Sequence, residues 1–324
     1  MEHDPVLDVR ELSVDYFSTS GNIHALDRIS ISIAPSEFLG LVGESGSGKS
    51  TLAYTIIRLL PSNAKVVGGK ILFEDKDIFS LNDGELRLLR GQKISMVFQD
   101  PTTSLNPIFK VKDQICRVIE LHKHVDRRTA VRMAEEYIAL AELPEPELVL
   151  NSFPFELSGG MQQRVMIAMA LSMSPTLIIA DEPTSAVDAT IQAGILNLLS
   201  KLKNQQKFSM LFITHNLDVV NQVCDRVAVM YAGKVVEIAK KKDIFLNAKH
   251  PYTQALLASV PRPRVNARED KHLAIIPGNV PDMLNPPPGC RFHPRCPFAM
   301  TRCKMEVPEL REVEDCHFVA CHLY

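Results

Sequence analysis

Residues 43–51 read GESGSGKST, which fits the pattern G-x-x-x-x-G-K-S/T. Such a loop turns its backbone N–H groups inward, toward phosphate oxygens. Gly43, Gly46 and Gly48 permit the turn, Lys49 supplies the point charge for a β/γ-phosphate pair, and the Ser50 hydroxyl suits Mg2+. Ser45 and Thr51 complete the candidate phosphate-facing set. A second group lies at the end of the apolar run LIIAD, where Asp181 is placed to reach Mg2+ through its water shell and Glu182 follows directly. Phosphoryl transfer asks for positioned charge and an oriented water rather than covalent chemistry, and these residue types supply both. A glycine-rich turn without a ligand, and two strand-end acids facing solvent, are the plainer readings of the same residues.

Positioning these groups requires strands that end at the chemistry. VLDVRELSVDY (6–16) alternates apolar and polar residues and predicts an edge strand. ALDRISISIAP (25–35) and EFLGLVG (37–43) predict two more, the second feeding the glycine-rich loop. A helix is predicted from Lys49 to about Leu60, ended by Pro61, and a hairpin strand over GGKILFEDKDI (68–78). KISMVFQDP (93–101), TLIIADEP (176–183) and SMLFITH (209–215) read as buried strands. Residues 111–150 turn helical, MQQRVMIAMALSM is a strongly apolar helix, and a further helix is predicted over 189–203. The chain of 324 residues has 46% hydrophobic and 23% charged residues, as a globular protein does. No apolar run approaches the roughly 20 residues that span a bilayer. The start, MEHDPVLDVR, has neither a basic lead nor an apolar core, so no signal peptide is expected. A net charge of −2, no Trp and 6% aromatics argue against a nucleic-acid binder.

The run LSGGMQQR, from Leu157 to Arg164, turns a general nucleotide reading into a particular one. With GESGSGKST, VFQDP, DEPTS and FITH, it makes the chain resemble the ATPase subunit of an ABC transporter. The resemblance implies that Glu182 polarises the attacking water and that His215 touches the γ-phosphate. Gln99 would contact Mg2+ and sense the membrane subunits, and Tyr16 would stack on adenine, although Phe17 beside it is an equal aromatic. Ser158, Gly159 and Gly160 would present to ATP held by an opposing subunit, with the positive end of a helix behind them. A chain with half of each of two composite sites is expected to work as a dimer. Two departures stand out: Val187 in SAVD (185–188), where the family usually has Leu, and Asn216 after His215, where Asp is common.

Past Ala248 the composition changes. Prolines crowd 261–297, and five of the seven cysteines fall in the last 35 residues, spaced Cys290-x5-Cys296-x6-Cys303-x12-Cys316-x4-Cys321. Disulfides are unexpected in the reducing compartment where an ATPase works, and no C-x2-C knuckle marks a zinc ribbon. HPYTQALL (250–257), IPGNVPDMLNPPPGCRFHPRCPFAMTRC (276–303) and ACHLY (320–324) resemble the C-terminal region of peptide and nickel importer ATPases. That resemblance implies a [4Fe-4S] cluster on Cys290, Cys296, Cys303 and Cys321, with Cys316 outside the set; zinc or unligated thiols are the alternatives. Cys116 and Cys224 read as ordinary buried thiols.

The implied fold is an α/β ABC nucleotide-binding domain: a P-loop core with a mostly parallel sheet, an antiparallel β-subdomain and a helical subdomain at about 101–160. The cassette would occupy 1–248, and an irregular Cys-rich region 249–324. The implied function is ATP hydrolysis energising import of di- or oligopeptides, as the first of two ATPase subunits. Its cofactors would be ATP, Mg2+ and the iron-sulfur cluster. Its partners would be a homologous ATPase subunit in a heterodimer, two membrane permease subunits and an extracytoplasmic substrate-binding protein, with no nucleic acid. The place of work would be the cytoplasmic face of the inner membrane, peripherally bound. A nickel or metallophore importer is the near alternative. A non-transport cassette acting on DNA or ribosomes is the distant one: chromosome-type members insert a long coiled coil between the two motifs, where only residues 52–156 stand here, and ribosomal types usually carry two cassettes per chain.

Overall fold

The computed structural model describes residues 4–185, 187–259 and 276–324. The first three residues, Ala186 of the SAVD loop and the proline-bearing stretch 260–275 lie outside the described residues. Two compact units emerge, each assembled from several stretches of chain: Met1–Leu7, Ile33–Phe38 and Leu72–Thr214 in one, Asp8–Ser32, Leu39–Ile71 and His215–Tyr324 in the other.

The first unit is built on parallel strands Ile94–Val97, Leu177–Asp181 and Ser209–Thr214, with Ile94 opposite Leu177 and Leu177 opposite Ser209. The last two strands are buried at every position, which is why they read as unbroken apolar runs rather than alternating ones. Helix Gly159–Leu171 packs against Ile94–Val97 and is buried around most of its circumference. The helical expectation for 111–150 holds as helices Val111–Lys123, Arg127–Leu140 and Pro146–Asn151. Their inner faces carry Val111, Ile115 and Ile119, then Ala130, Ala134 and Ile138, one turn apart. Two local expectations need correction. The hairpin strand expected over 68–78 is split, because Glu74 and Asp75 adopt φ of 46° and 63° and turn the chain, so that strand Ala64–Phe73 pairs antiparallel with Lys76–Asp77. The unanticipated helix Asp83–Gln92 starts at a capping box in which Asn82 and Glu85 exchange side-chain and backbone hydrogen bonds of 3.0 and 2.9 Å.

In the second unit, strand Phe38–Val42 lies parallel to Arg226–Tyr231, with Leu39 opposite Arg226, and strand Lys234–Lys240 returns antiparallel. Ala232 and Gly233, at φ of 46° and 75°, close that two-residue turn. Strands Gly21–Ile33, Leu7–Ser18 and Ala64–Phe73 lie side by side in that order. Helix Lys49–Ile56 is shorter than the expected 49–60. The tail departs from the irregular segment expected: His317–Val319 pairs antiparallel with Lys234–Lys240, and Arg311–Glu314 pairs on its outer side. Strands of three and four residues carry too little pattern to be read from sequence; their pairing partner fixes them.

Candidate functional site

Strand Phe38–Val42 is buried throughout and delivers the chain into the glycine-rich loop. Gly43 sits so tightly that an added Cβ would stand 2.2 Å from the Met230 carbonyl oxygen. Gly48, at φ 101°, has no room either: its Cβ would lie 2.7 Å from the Ala25 carbonyl oxygen. Ser45 and Gly46 are exposed at the loop's crest, whereas Lys49 is buried. The Lys49 ammonium donates to the Gly43 and Glu44 carbonyls at 2.8 and 2.9 Å and to Ser47 Oγ at 3.3 Å, so its charge is held inside the ring of the loop. Helix Lys49–Ile56 begins without a side-chain cap or an acidic residue in its first turn. An N-terminus of that kind is one that a phosphate can cap. Ser50 and Thr51 fall in that first turn, and Thr51 Oγ1 lies 3.3 Å from the Tyr16 hydroxyl. Tyr16 is half-buried beside the loop, while Phe17 points to solvent under the Lys65 ammonium. Glu44, an unspecified position of the motif, is held from outside the loop by Tyr252 and Arg295.

In the other unit, Asp181 closes its strand at 3% exposure. Glu182 follows at φ 47°, a left-handed backbone that costs a non-glycine residue about 1 kcal/mol or more. Its N–H donates to the Ile213 carbonyl at 2.9 Å, and its carboxylate accepts from Gln99 Nε2 at 3.0 Å. Spacing along the chain gave no sign of this contact between residues 83 positions apart. Ser158 caps helix Gly159–Leu171, accepting from the Met161 N–H at 3.3 Å. Gly159 has open space where a Cβ would go, but at Gly160 that Cβ would meet Ile191 Cγ2 at 2.6 Å. One glycine therefore faces outward and its neighbour packs inward. His215, exposed, directly follows strand Ser209–Thr214 and is the first residue of the stretch that belongs to the loop's own unit. Asn216 caps helix Leu217–Val223 by accepting from the Asp218 N–H at 2.9 Å. Asn serves as an N-cap as well as Asp does, so this departure is accommodated locally.

The tail thiols form a second group. Cys303 and Cys321 are buried, Cys290 and Cys296 half-buried, and Cys316 exposed. Burial, and then the neighbouring Cys303, Cys321 and Cys296 thiols, push the Cys290 thiol up to about 11. Burial likewise raises Cys296 and Cys321, each also feeling Cys303, so the four sulfurs share one neighbourhood. The Met300 N–H lies 3.5 Å from Cys303 Sγ, and the backbone at Phe292, Phe298 and Leu323 partly offsets the rise at Cys290, Cys296 and Cys321. An N–H···S bond suits a thiolate better than a thiol. Among the described residues, the Cys, His and acidic group whose donor atoms fall within 4.8 Å of one another is the exposed trio Glu312, Asp315 and Cys316. The fully buried Glu237 carboxylate accepts from the Lys249 and His250 N–H groups at 2.7 and 3.0 Å and from His317 Nε2 at 2.7 Å. Cys116 and Cys224 are buried as expected.

The ABC transporter family profile matches residues 26–185, and the profile of the oligopeptide/dipeptide transporter C-terminal region matches 236–303. The chain is 46% identical over 319 residues to a probable peptide ABC transporter ATP-binding protein of Sinorhizobium fredii, covering 98% of this chain and 95% of that one. It is 45% identical to the dipeptide transport ATP-binding protein DppD of Bacillus subtilis (99% and 95% covered) and 43% identical to the oligopeptide transport ATP-binding protein OppD of Escherichia coli (98% and 93%). Among solved structures, the cassette MJ0796, a dimer in a post-hydrolysis state with ADP and phosphate, superposes with a TM-score of 0.65 at 30% identity. It covers 72% of this chain and 98% of that one.

Proposed function

The chain belongs to the ATP-binding subunits of peptide-importing ABC transporters, and from that premise we propose how its residues serve the activity. It hydrolyses ATP to energise peptide import. No helix among the described residues is long and apolar enough to cross a membrane. Coupling to transport therefore runs through permease partners, with substrate delivered by a binding protein. We place the chain on the cytoplasmic face of the inner membrane, with 1–248 as the cassette, its helical subdomain at about 101–160, and 249–324 as the C-terminal region.

In this reading the loop of Gly43, Ser45, Gly46, Gly48, Lys49, Ser50 and Thr51 binds the triphosphate and Tyr16 flanks the base. The Ser50 hydroxyl and the Gln99 side chain would be ligands to Mg2+, with Asp181 reaching it through the water shell; a hard cation of this kind takes oxygen ligands and would neutralise phosphate charge. Glu182 orients the attacking water, Gln99 holds the Glu182 carboxylate and reports on the permease, and His215 meets the γ-phosphate. The observation that carries these roles is the Gln99–Glu182 hydrogen bond of 3.0 Å at a strained backbone position, since strain of this kind is kept where geometry serves function. Ser158, Gly159 and Gly160 close on ATP held by a second ATPase subunit, which we take to be a homologue rather than a second copy. The open space at Gly159 supports that role. Ile108, Phe109, Leu148 and Phe155 are large apolar side chains left exposed, and we assign them to contact with the permease helices.

We further propose that Cys290, Cys296, Cys303 and Cys321 hold a [4Fe-4S] cluster. The mutual influence of these thiols and the Met300 N–H on Cys303 Sγ support it, and four thiolates are what a cubane takes. When bound, the cluster cross-links the tail. The test of the function is uptake of a labelled dipeptide by cells carrying the native chain or Glu182→Gln. Collapse of uptake in the variant is expected; undiminished peptide uptake alongside lost nickel or metallophore uptake would reassign the substrate.

A further inference from the structure

Glu44, the second residue of GESGSGKST, is gripped twice by the C-terminal region. Arg295 holds its carboxylate bidentately, with Nη1 2.8 Å from Oε2 and Nη2 3.1 Å from Oε1. The Tyr252 hydroxyl accepts its backbone N–H at 3.0 Å. Neither partner is free to drift. The Arg295 side chain is only 6% exposed, donates from Nε to the Pro277 carbonyl at 2.8 Å and lies over the Tyr231 ring at 5.7 Å. Tyr252 is fully buried, its ring 4.6 Å from Tyr231 and 5.4 Å from Phe292.

Glu44 is in turn tied to the nucleotide machinery, because its carbonyl accepts from the Lys49 ammonium at 2.9 Å. At the other end, Arg295 belongs to the short turn His293–Arg295 between Cys290 and Cys296. That turn is closed by the His293 N–H on the Cys290 carbonyl at 2.9 Å and the Cys296 N–H on the His293 carbonyl at 3.3 Å. A continuous line of bonded groups thus runs from the cysteine-bearing turn through Arg295 and Glu44 to Lys49. A bidentate arginine–carboxylate pair fixes orientation as well as distance, and burial of the arginine limits screening by salt. It also cancels a negative charge one residue from where a triphosphate must settle.

We propose that Arg295 is a positioning residue for ATP: through Glu44 it sets and neutralises the phosphate loop, so that the C-terminal region tunes the cassette's affinity for nucleoside triphosphate. Arg295 touches no phosphate itself. The proposal rests on GESGSGKST being the phosphate loop.

The experiment uses the assembled transporter with Arg295→Gln, Arg295→Lys and the double variant Arg295→Gln/Glu44→Gln. It measures the ATP dissociation constant, KM, kcat, iron content and melting temperature of each. Arg295→Gln is expected to raise the ATP dissociation constant and KM about tenfold while kcat at saturating ATP stays within about twofold. Adding Glu44→Gln is expected to recover most of the lost affinity, since it removes the uncompensated carboxylate. Arg295→Lys, which keeps the charge but loses the fork, is expected to weaken ATP about threefold at unchanged iron and melting temperature. A merely structural role would lower kcat and melting temperature together and gain nothing from Glu44→Gln. An unchanged dissociation constant in Arg295→Gln, or a loss that Glu44→Gln does not relieve, overturns the proposal. If Arg295→Gln does not assemble, Arg295→Lys decides, and unaltered ATP affinity there overturns it. A native complex that failed to bind ATP would instead break the phosphate-loop reading itself.

Discussion

Glu182 is the residue to which we assign the orientation of the attacking water. Its carboxylate sits at a strained strand end, engaged by Gln99. Glu182→Gln keeps the shape and the capacity to pair with Gln99 but loses the charge that orients water. Turnover is expected to fall at least about a hundredfold with ATP still bound, measured on a complex whose partner site is also disabled; normal hydrolysis there would remove Glu182 from its role. The two signature glycines separate packing from contact with a partner. Gly160→Ala drives a methyl into Ile191 and is expected to cost about 1–3 kcal/mol in denaturant unfolding. Gly159→Ala meets nothing within 4 Å and is expected to leave stability unchanged while lowering ATPase activity. If both variants destabilised equally, the outward role of Gly159 would be wrong. Motif spacing named these residues, but it could not tell the packed glycine from the open one. That distinction is made by helix Ala189–Gln205, which carries Ile191.

Among elements, the tail differs most from its expectation. Strands His317–Val319 and Arg311–Glu314 exist because strand Lys234–Lys240 offers them an edge, and the buried Glu237 carboxylate gathers His317, Lys249 and His250 around it. Cys321→Ala is expected to lower both iron content and melting temperature; if neither moves, Cys321 is no ligand. His250 opens the helix Pro251–Ser259, and full burial pushes it down to about 3. The unfolded chain therefore binds a proton at His250 that the folded chain refuses between about pH 6.5 and 3, and stability falls as pH drops through that window. From pH 6.5 to 4.5 this one group is expected to remove about 2 kcal/mol. In His250→Gln the loss over the same range should be shallower by that amount, read from unfolding curves at each pH. Equal slopes in the two proteins would show that His250 does not refuse its proton. Capping boxes were legible at this scale in principle, since N-D-G-E at 82–85 carries its own local signal. Short tail strands were not, because nothing local stabilises them.

At the scale of the whole molecule, the chain carries one copy each of the phosphate loop and the signature, which a lone subunit has no means to bring to the same ATP if the two belong to opposite faces of a sandwich. Pull-down of the tagged chain from membranes, followed by mass spectrometry, is expected to recover a second homologous ATPase and two permeases in equal amounts. Recovery of this chain alone with the permeases would make the ATPase pair a homodimer. What the sequence carried unaided was the family and the candidate chemistry: a phosphate loop, strand-end acids and a signature are local patterns, set by which residues can turn a backbone, hold a charge or cap a helix. Only tertiary structure decided which of these side chains meet, how Gln99 reaches Glu182 and how Arg295 reaches Glu44 across 251 residues. Contacts between distant segments depend on how buried strands and helices pack, and packing is a property of the whole fold that no stretch of sequence carries alone.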